Sequence, residues 1–169
     1  CLSRGLGDVY KRQGEINMAL RKILQHPDPA LRKICKPVRE ITPHIKQIVE
    51  DMKETMTNAD GCGLAAPQIG ILRSIVVINV GDGFYEMINP VVTHTEGEQT
   101  GEEGCLSCVG RSGIVTRPMK ATVHYTDLNG DEQVLTGEGL LARAICHETD
   151  HLDGKLYIDI MEREILEDE

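Results

Sequence analysis

Residues Leu140–Leu152 read LLARAICHETDHL, and their spacing is that of a helix near the end of the chain. Gly137 and Gly139 precede this segment and predict a break from the pattern before it, while Gly154 predicts its end. The segment contains two histidines four residues apart. Their side chains therefore project from one face of the helix.

Upstream of this helix the chain has the patterns of β-strands. Ser74–Val80 (SIVVINV) is a β-branched run that is too short for a helix and long enough for a buried strand. Tyr85–Thr95 and Ala121–Val134 carry further strand signals. The second of these folds back at Asn129-Gly130, a pair that suits a type I′ hairpin turn.

Helical signals return toward the start of the chain. A short helical turn is predicted over Asp28–Lys33, and a longer helix is capped by Thr42, opened by Pro43 and stopped after Asn58. Helices thus lie at the two ends of a β-rich middle, without regular alternation of strand and helix. This order predicts an α+β fold.

Composition limits the function as well as the size of the protein. The chain has 169 residues, enough for one domain, and a net charge of -9, which disfavours binding to nucleic acid. Residues 1–17 have no sustained pattern, so we predict a non-native or disordered extension there and a single domain over residues 18–169. Residues 1–20 lack an apolar signal-peptide core, and we find no run of about 20 apolar residues. These features predict a cytoplasmic protein without a membrane segment.

The five residues HETDH, 147–151, form an HExxH sequence. His147 and His151 lie one turn apart and can bind one metal ion, and Glu148 can point toward water on that ion and transfer a proton. Because no histidine follows His151, a third ligand has to come from upstream. The candidate is Cys105, in the glycine-flanked turn EEGCLS. One Cys and two His leave a fourth position open, which is typical of a catalytic metal site.

Three motifs stand in the order that peptide deformylases show. They are the GxGxAAxQ loop at Gly61–Gln68, the EGCxS turn at Glu103–Ser107 and the HExDH helix at His147–His151. The chain resembles this family from about residue 18 to 160, including the opening ALRKILQHPDPALRK. The resemblance implies antiparallel β-sheets around a central metal-binding helix. The implied reaction removes the N-formyl group from the N-terminal formylmethionine of newly made polypeptides and releases formate.

The resemblance also implies the roles of the site residues. One divalent metal ion is held by three ligands, Cys105, His147 and His151. The family often uses Fe²⁺, and this ligand set equally accepts Zn²⁺, Ni²⁺ or Co²⁺. Water on the ion attacks the formyl carbon, Glu148 transfers the proton, and the Gln68 amide and the Leu106 backbone N–H donate to the oxygen on which charge develops.

The substrate contacts are implied in the same way. The loop at Gly61, Cys62 and Gly63 pairs with the extended peptide, and the methionine side chain enters an apolar pocket next to Leu140 and Ala144. The alternative interpretation is that Gly61 and Gly63 are ordinary turn residues and that Leu140 and Ala144 belong to the core. Cys62 stands where the family often has Val or Ile, a difference that bears on fine specificity.

Two acidic residues lie close to the ligands in sequence. Glu103 and Asp150 are each either a solvated carboxylate or an acceptor that orients a ligand imidazole, with Arg117 or Arg143 as possible ion-pair partners. The implied partners are formylmethionyl peptides on nascent chains at the ribosome. We expect a bacterial monomer without direct contacts to nucleic acid.

Three other functions remain to be distinguished. Cys105 and Cys108 with the two histidines could close a structural Cys2His2 zinc shell, although this leaves Gln68 and Glu148 without a role. A zinc peptidase of the zincin type would cleave unblocked internal peptides. A thiol oxidoreductase would use Cys105 and Cys108, but its usual βαβ context is missing from the pattern.

Overall fold

The first long helix, α1, spans Pro43–Asn58 and begins as predicted. The Thr42 hydroxyl accepts the backbone N–H of Ile45, and Pro43 lies in the first turn, where its missing N–H leaves no helical bond unmade. Asp28 caps a short 3₁₀ helix, Pro29–Arg32, in a similar way. The computed structural model describes residues 19–166, so the extension predicted at residues 1–17 lies outside the described residues.

Within residues 19–166, eight strands form two antiparallel sheets. Their bounds are β1 (Gly63–Ala65), β2 (Ile75–Ile78), β3 (Tyr85–Glu96), β4 (Gln99–Gly104), β5 (Ser112–Arg117), β6 (Lys120–Thr126), β7 (Glu132–Glu138) and β8 (Arg163–Ile165). One sheet has the order β1-β2-β3-β6-β7 and the other the order β4-β5-β8. The predictions missed β1, β4, β5 and β8. β1, β4 and β8 are short runs with glycines or charged residues and few β-branched ones, whereas β5 was missed although it contains the β-branched run Ile114-Val115-Thr116.

The hairpin between β6 and β7 differs from the type I′ turn predicted for it. Gly130 has a φ of 85°, whereas Asn129 is not among the described residues with a positive φ, as a type I′ turn would require. The Gly130 N–H donates to the Asp127 carbonyl, and the Asp127 carboxylate accepts the N–H groups of Asn129 and Asp131. This carboxylate therefore organises a longer turn.

Gly137 was predicted to interrupt the strand pattern, and this is wrong because β7 continues through it to Glu138. A Cβ at Gly137 would lie 2.7 Å from Cγ of Leu141 and 2.9 Å from Cδ1 of Ile145. Glycine is needed here because the second long helix packs closely against the strand. That helix, α2, spans Leu140–Leu152 as predicted, and Gly154 follows its end with a φ of 72°.

Helix α2 packs against the five-stranded sheet and also contacts β5 of the smaller sheet. It is buried along most of its length, and α1 contacts β1 and β2. Core side chains are mainly Ile, Leu, Val, Met and Ala, as the composition indicated. The α+β prediction is confirmed. Within residues 19–166 no helix combines the length and apolar character needed to cross a membrane.

Candidate metal centre and active site

Two imidazoles on α2 face each other. The Nε2 atoms of His147 and His151 are 3.3 Å apart, and both residues are buried. The four-residue spacing alone places them one above the other on the helix. The Tyr157 ring is inclined by 23° to the His147 ring, with centroids 6.0 Å apart.

A sulfur atom joins the two imidazoles from the smaller sheet. Strand β4 ends at Gly104, and the following turn places Sγ of Cys105 at 3.4 Å from Nε2 of His151. The three ligand atoms of Cys105, His147 and His151 all lie within 4.8 Å of one another. Donors at about 2.0–2.3 Å from a tetrahedral ion are themselves about 3.3–3.6 Å apart. This thiol and the two imidazoles therefore fit a divalent metal ion.

Glu103 lies at the centre of a buried network of charged groups. Its carboxylate accepts hydrogen bonds from Nδ1 of His147 at 2.7 Å, from Nη2 of Arg117 at 2.7 Å and from Nη1 of Arg143 at 3.0 Å. Burial acts to raise the pKa of Glu103, but the hydrogen bonds from His147 and Arg117 outweigh it and bring the pKa to about 2. Because this ionised carboxylate only accepts, Nδ1 of His147 carries the proton and Nε2 is free to bind metal.

Asp150 occupies a different place from Glu103. Its Oδ2 accepts Nη1 of Arg117 at 2.7 Å, and its side chain is 30% exposed. It contacts no imidazole among the described residues, so its link to His147 runs through Arg117 and Glu103. Nδ1 of His151 is buried and has no partner in the described part of the chain.

Glu148 is buried beside the metal-binding group. Burial raises its pKa to about 7, and its Oε2 has no hydrogen-bond partner within residues 19–166. A buried, unpaired carboxylate oxygen is costly unless a ligand or water supplies a proton to it. A carboxyl group that titrates near neutrality can accept a proton and return it.

Gly63 allows Glu148 to lie where it does. A Cβ at Gly63 would come within 2.8 Å of both Cγ and Cδ of Glu148 and would contact its Oε1. The space for this carboxylate therefore depends on a residue without a side chain. The glycine at the start of β1 is thus explained by a residue on α2.

We expect Gly63→Ala to lower kcat/KM on the order of 10²-fold, because the added methyl group displaces the Glu148 carboxylate by an ångström or so. Metal content should be retained, since the three atoms nearest to the new Cβ all belong to Glu148, which is not one of the three ligand residues. Steady-state kinetics and metal analysis check this. Gly101→Ala is the control, because its Cβ meets Nη2 of Arg143 at an ordinary 3.5 Å. Equal losses in the two variants would contradict the explanation.

Gln68 faces the same group from a short 3₁₀ helix, Ala66–Ile69. Its Oε1 accepts the Ala65 N–H at 2.9 Å, so its Nε2 points toward Ser107 Oγ at 3.1 Å and Cys105 Sγ at 3.5 Å. The backbone N–H of Leu106 has no acceptor within residues 19–166. The Leu106 N–H thus lies on the turn that carries the Cys105 sulfur, and the Gln68 amide lies beside that turn.

An N-terminal segment supports this turn, a contact that the sequence analysis missed. Gln25 Nε2 donates to the Leu106 carbonyl at 2.9 Å, and Gln25 Oε1 accepts the Val109 N–H at 3.3 Å. The His26 N–H donates to the Ser107 carbonyl at 2.8 Å. Gln25 and His26 lie in the opening that resembles the family, but about 80 residues separate them from the turn and no local pattern indicates the contact.

A cavity of about 360 Å³ opens beside the metal-binding group. The five predicted substrate-binding residues all line it, namely Gly61, Cys62, Gly63, Leu140 and Ala144. Gln68, Cys105, His147 and Glu148 also line it, and so does Arg143, for which no substrate contact was predicted. The cavity therefore connects the predicted substrate loop with the predicted chemistry.

Cys108 lies outside the group of converging ligand atoms. It is buried near Val115 and Tyr157, and the group within 4.8 Å comprises only Cys105, His147 and His151 among the described residues. This arrangement gives no support to a closed Cys2His2 shell. Burial raises the pKa of Cys35 and of Cys146 to about 11, which fits their interpretation as unreactive thiols.

Comparisons with known proteins identify the family of this chain. Residues 20–165 match the family model for polypeptide deformylase. The chain is 56% identical over 142 residues to a peptide deformylase from Caldanaerobacter subterraneus subsp. tengcongensis, covering 84% of this chain and 89% of that protein. It is similar to the crystal structure of a peptide deformylase from Legionella pneumophila, with a TM-score of 0.83, 43% identity and coverage of 85% and 87% of the two chains.

A further solved structure is that of peptide deformylase from Ehrlichia chaffeensis in complex with actinonin. It has a TM-score of 0.84 and 34% identity, and the match covers 86% of this chain and 91% of that one. A Cys-His-His group that could hold a metal ion, with a buried carboxylate beside it, is typical of metal-dependent hydrolases. The chain belongs to the polypeptide deformylase family, enzymes that remove the N-formyl group from newly made polypeptides.

Proposed function

We propose that Cys105, His147 and His151 hold one divalent metal ion in this deformylase, and that the ion is Fe²⁺ in the cell. The observation that carries the proposal is the convergence of one sulfur and two nitrogen atoms within 4.8 Å. A bound ion would lower the pKa of water and polarise the formyl oxygen. A thiolate with two imidazoles also accepts Zn²⁺, Ni²⁺ or Co²⁺.

Glu148 is the proton-transfer group in this proposal. It accepts a proton from the attacking water and then delivers it to the methionine nitrogen as the C–N bond breaks. Its burial, its raised pKa and its unpaired Oε2 support this role. The products are formate and the free amine, and together they contain all the atoms of the formyl amide and of the water.

Gln68 and Leu106 stabilise the oxygen that becomes negative as water adds to the formyl carbon. The Gln68 amide group is held in one orientation because its oxygen accepts the Ala65 N–H. The Leu106 N–H is held by the turn that Gln25 braces. Donors that are fixed before the reaction need no rearrangement as the charge develops.

Replacement of Gln68 by alanine should lower kcat on the order of 10²-fold, as for loss of an oxyanion donor. Steady-state kinetics on formyl-Met-Ala measure this, and Gln133→Ala is the matched control because the Gln133 side chain donates to Asp127 on the exposed hairpin. Thermal melting corrects for the buried bond to Ala65 that is also lost. An effect limited to KM would contradict the donor role.

The substrate in this proposal is an extended formylmethionyl peptide at the N-terminus of a nascent chain. Its backbone pairs with the loop at Gly61, Cys62 and Gly63, and its methionine side chain enters the cavity beside Leu140 and Ala144. The position of all five residues around one cavity supports this arrangement. We further propose that the enzyme acts as a monomer in the cytoplasm, on chains that emerge from the ribosome.

One experiment tests the whole proposal. The protein is purified without oxygen, its metal content is measured, and formate release is followed with formyl-Met-Ala and with an unblocked internal peptide. We expect about one ion per chain, release of formate, inhibition by a bidentate hydroxamate and no cleavage of the internal peptide. Cleavage of that peptide without release of formate would favour a zincin-type peptidase.

A further inference from the structure

Arg143 lines the cavity and is nearly enclosed, with 10% of its side chain exposed. Its Nη1 donates to Glu103 at 3.0 Å and to the Val115 carbonyl at 3.2 Å. Its Nη2 donates to the Val115 carbonyl at 3.2 Å and to the Gln99 carbonyl at 3.5 Å. These contacts account for the four N–H groups of the two terminal nitrogens, so one of the five guanidinium donors remains.

The remaining donor is the N–H of Nε, which has no acceptor among the described residues. The Nε atom of Arg143 is not fully buried. The fully buried unpaired side-chain atoms within residues 19–166 belong to Glu54, Glu148 and His151, and Nε of Arg143 is not one of them. Arg143 lines the cavity together with Leu140 and His147, and Nε–H is the one guanidinium donor that the described residues leave for a molecule in the cavity.

We propose that Nε–H of Arg143 is a hydrogen-bond donor to the substrate's first side chain and makes Arg143 a specificity-determining residue. The inference rests on the proposed function, in which that side chain enters this cavity. The thioether sulfur of methionine is a weak acceptor, whereas the oxygen of methionine sulfoxide is polar and accepts more strongly. The enzyme therefore accepts formyl peptides that begin with methionine sulfoxide, in addition to those that begin with methionine.

An apolar cavity without a donor would behave differently. It would bind norleucine, which replaces the sulfur by a CH₂ group, about as well as methionine, and it would exclude the sulfoxide because the S–O group would be buried without a partner. A cavity with a donor would instead favour methionine over norleucine and would admit the sulfoxide, whose oxygen accepts the hydrogen bond. The hydrolysis is unchanged: water breaks the formyl C–N bond, and the sulfoxide is neither reduced nor oxidised.

The test is a comparison of kcat/KM for three substrates, formyl-Met-Ala, formyl-norleucine-Ala and formyl-methionine-sulfoxide-Ala, by release of formate. In the wild-type protein we expect the sulfoxide to react within about tenfold of methionine, and norleucine to react several-fold more slowly than methionine. A sulfoxide rate more than about 100-fold below that of methionine overturns the proposal. Absence of formate from formyl-Met-Ala itself would instead contradict the proposed function.

Variants separate specificity from structural damage. Arg143→Lys keeps a positive charge near Glu103 but lacks the Nε–H of the guanidinium. We expect the ratio of sulfoxide to methionine to fall about tenfold and that of norleucine to methionine to approach one. Arg117→Lys is the control, because Arg117 bonds Glu103 but does not line the cavity. It should slow all three substrates alike, and unchanged ratios in Arg143→Lys would refute the inference. If Arg143→Lys does not fold, the wild-type comparison still decides.

Discussion

Glu148→Gln is expected to lower kcat by about 10²–10⁴-fold, because a glutamine amide of nearly the same shape cannot accept and return the proton. The metal content should not change, since Glu148 is not one of the three converging ligands. Thermal stability should stay the same or rise. The wild-type protein buries a carboxylate with an unpaired oxygen, and the neutral amide removes the cost of burying that charge.

The control for this variant is Asp150→Asn, two residues away on the same helix. Asp150 contacts Arg117 and stays partly exposed, so its loss should change kcat much less. Kinetics, metal analysis and melting curves are measured on both variants. Near-normal turnover of Glu148→Gln with one ion per chain would remove Glu148 from the mechanism.

Glu103→Ala should lower the free energy of unfolding by about 3–5 kcal/mol, because it leaves buried charges without their partner. Arg117 and Arg143 both lose a carboxylate, and Nδ1 of His147 loses its acceptor. Affinity for the metal ion should fall about 10–100-fold, since the imidazole is no longer held in one orientation. Urea unfolding and competition with a chelator measure the two effects.

Two further variants assign these effects to their causes. Glu103→Gln keeps a hydrogen-bond acceptor for His147 but removes the negative charge. It should therefore keep most of the metal affinity, while the free energy of unfolding still falls. Glu102→Ala is the matched control, because this neighbouring carboxylate is exposed and bonds Ser112 at the surface. A loss of stability below about 1 kcal/mol in Glu103→Ala would contradict the importance of the buried network.

The parts of the fold that were predicted correctly depend on neighbours in the chain. Thr42 and Pro43 mark the start of α1, and the bounds of α2 are as expected. The two histidines of α2 meet because helical geometry repeats every few residues. The α+β fold class followed from the order in which these local patterns occur along the chain.

The errors occurred where distant residues determine the local structure. Gly137 lies within a strand because α2 packs against it, and the turn at Asn129 follows the hydrogen bonds of the Asp127 carboxylate. Strand β4 has little strand-like composition of its own and is held by pairing with β5, which in turn pairs with β8. Propensity gives weak guidance for strands of this kind.

For the candidate site, the sequence alone determined the residue types and, by resemblance, the family and the reaction. It did not determine that Glu103 holds His147 across 44 residues, that Gly63 makes room for Glu148, or that Arg143 lines the cavity. Helix signals and motifs depend on residues a few positions apart, so they can be read along the chain. Contacts between strands and helices depend on how the whole chain packs, and only the tertiary structure decides them.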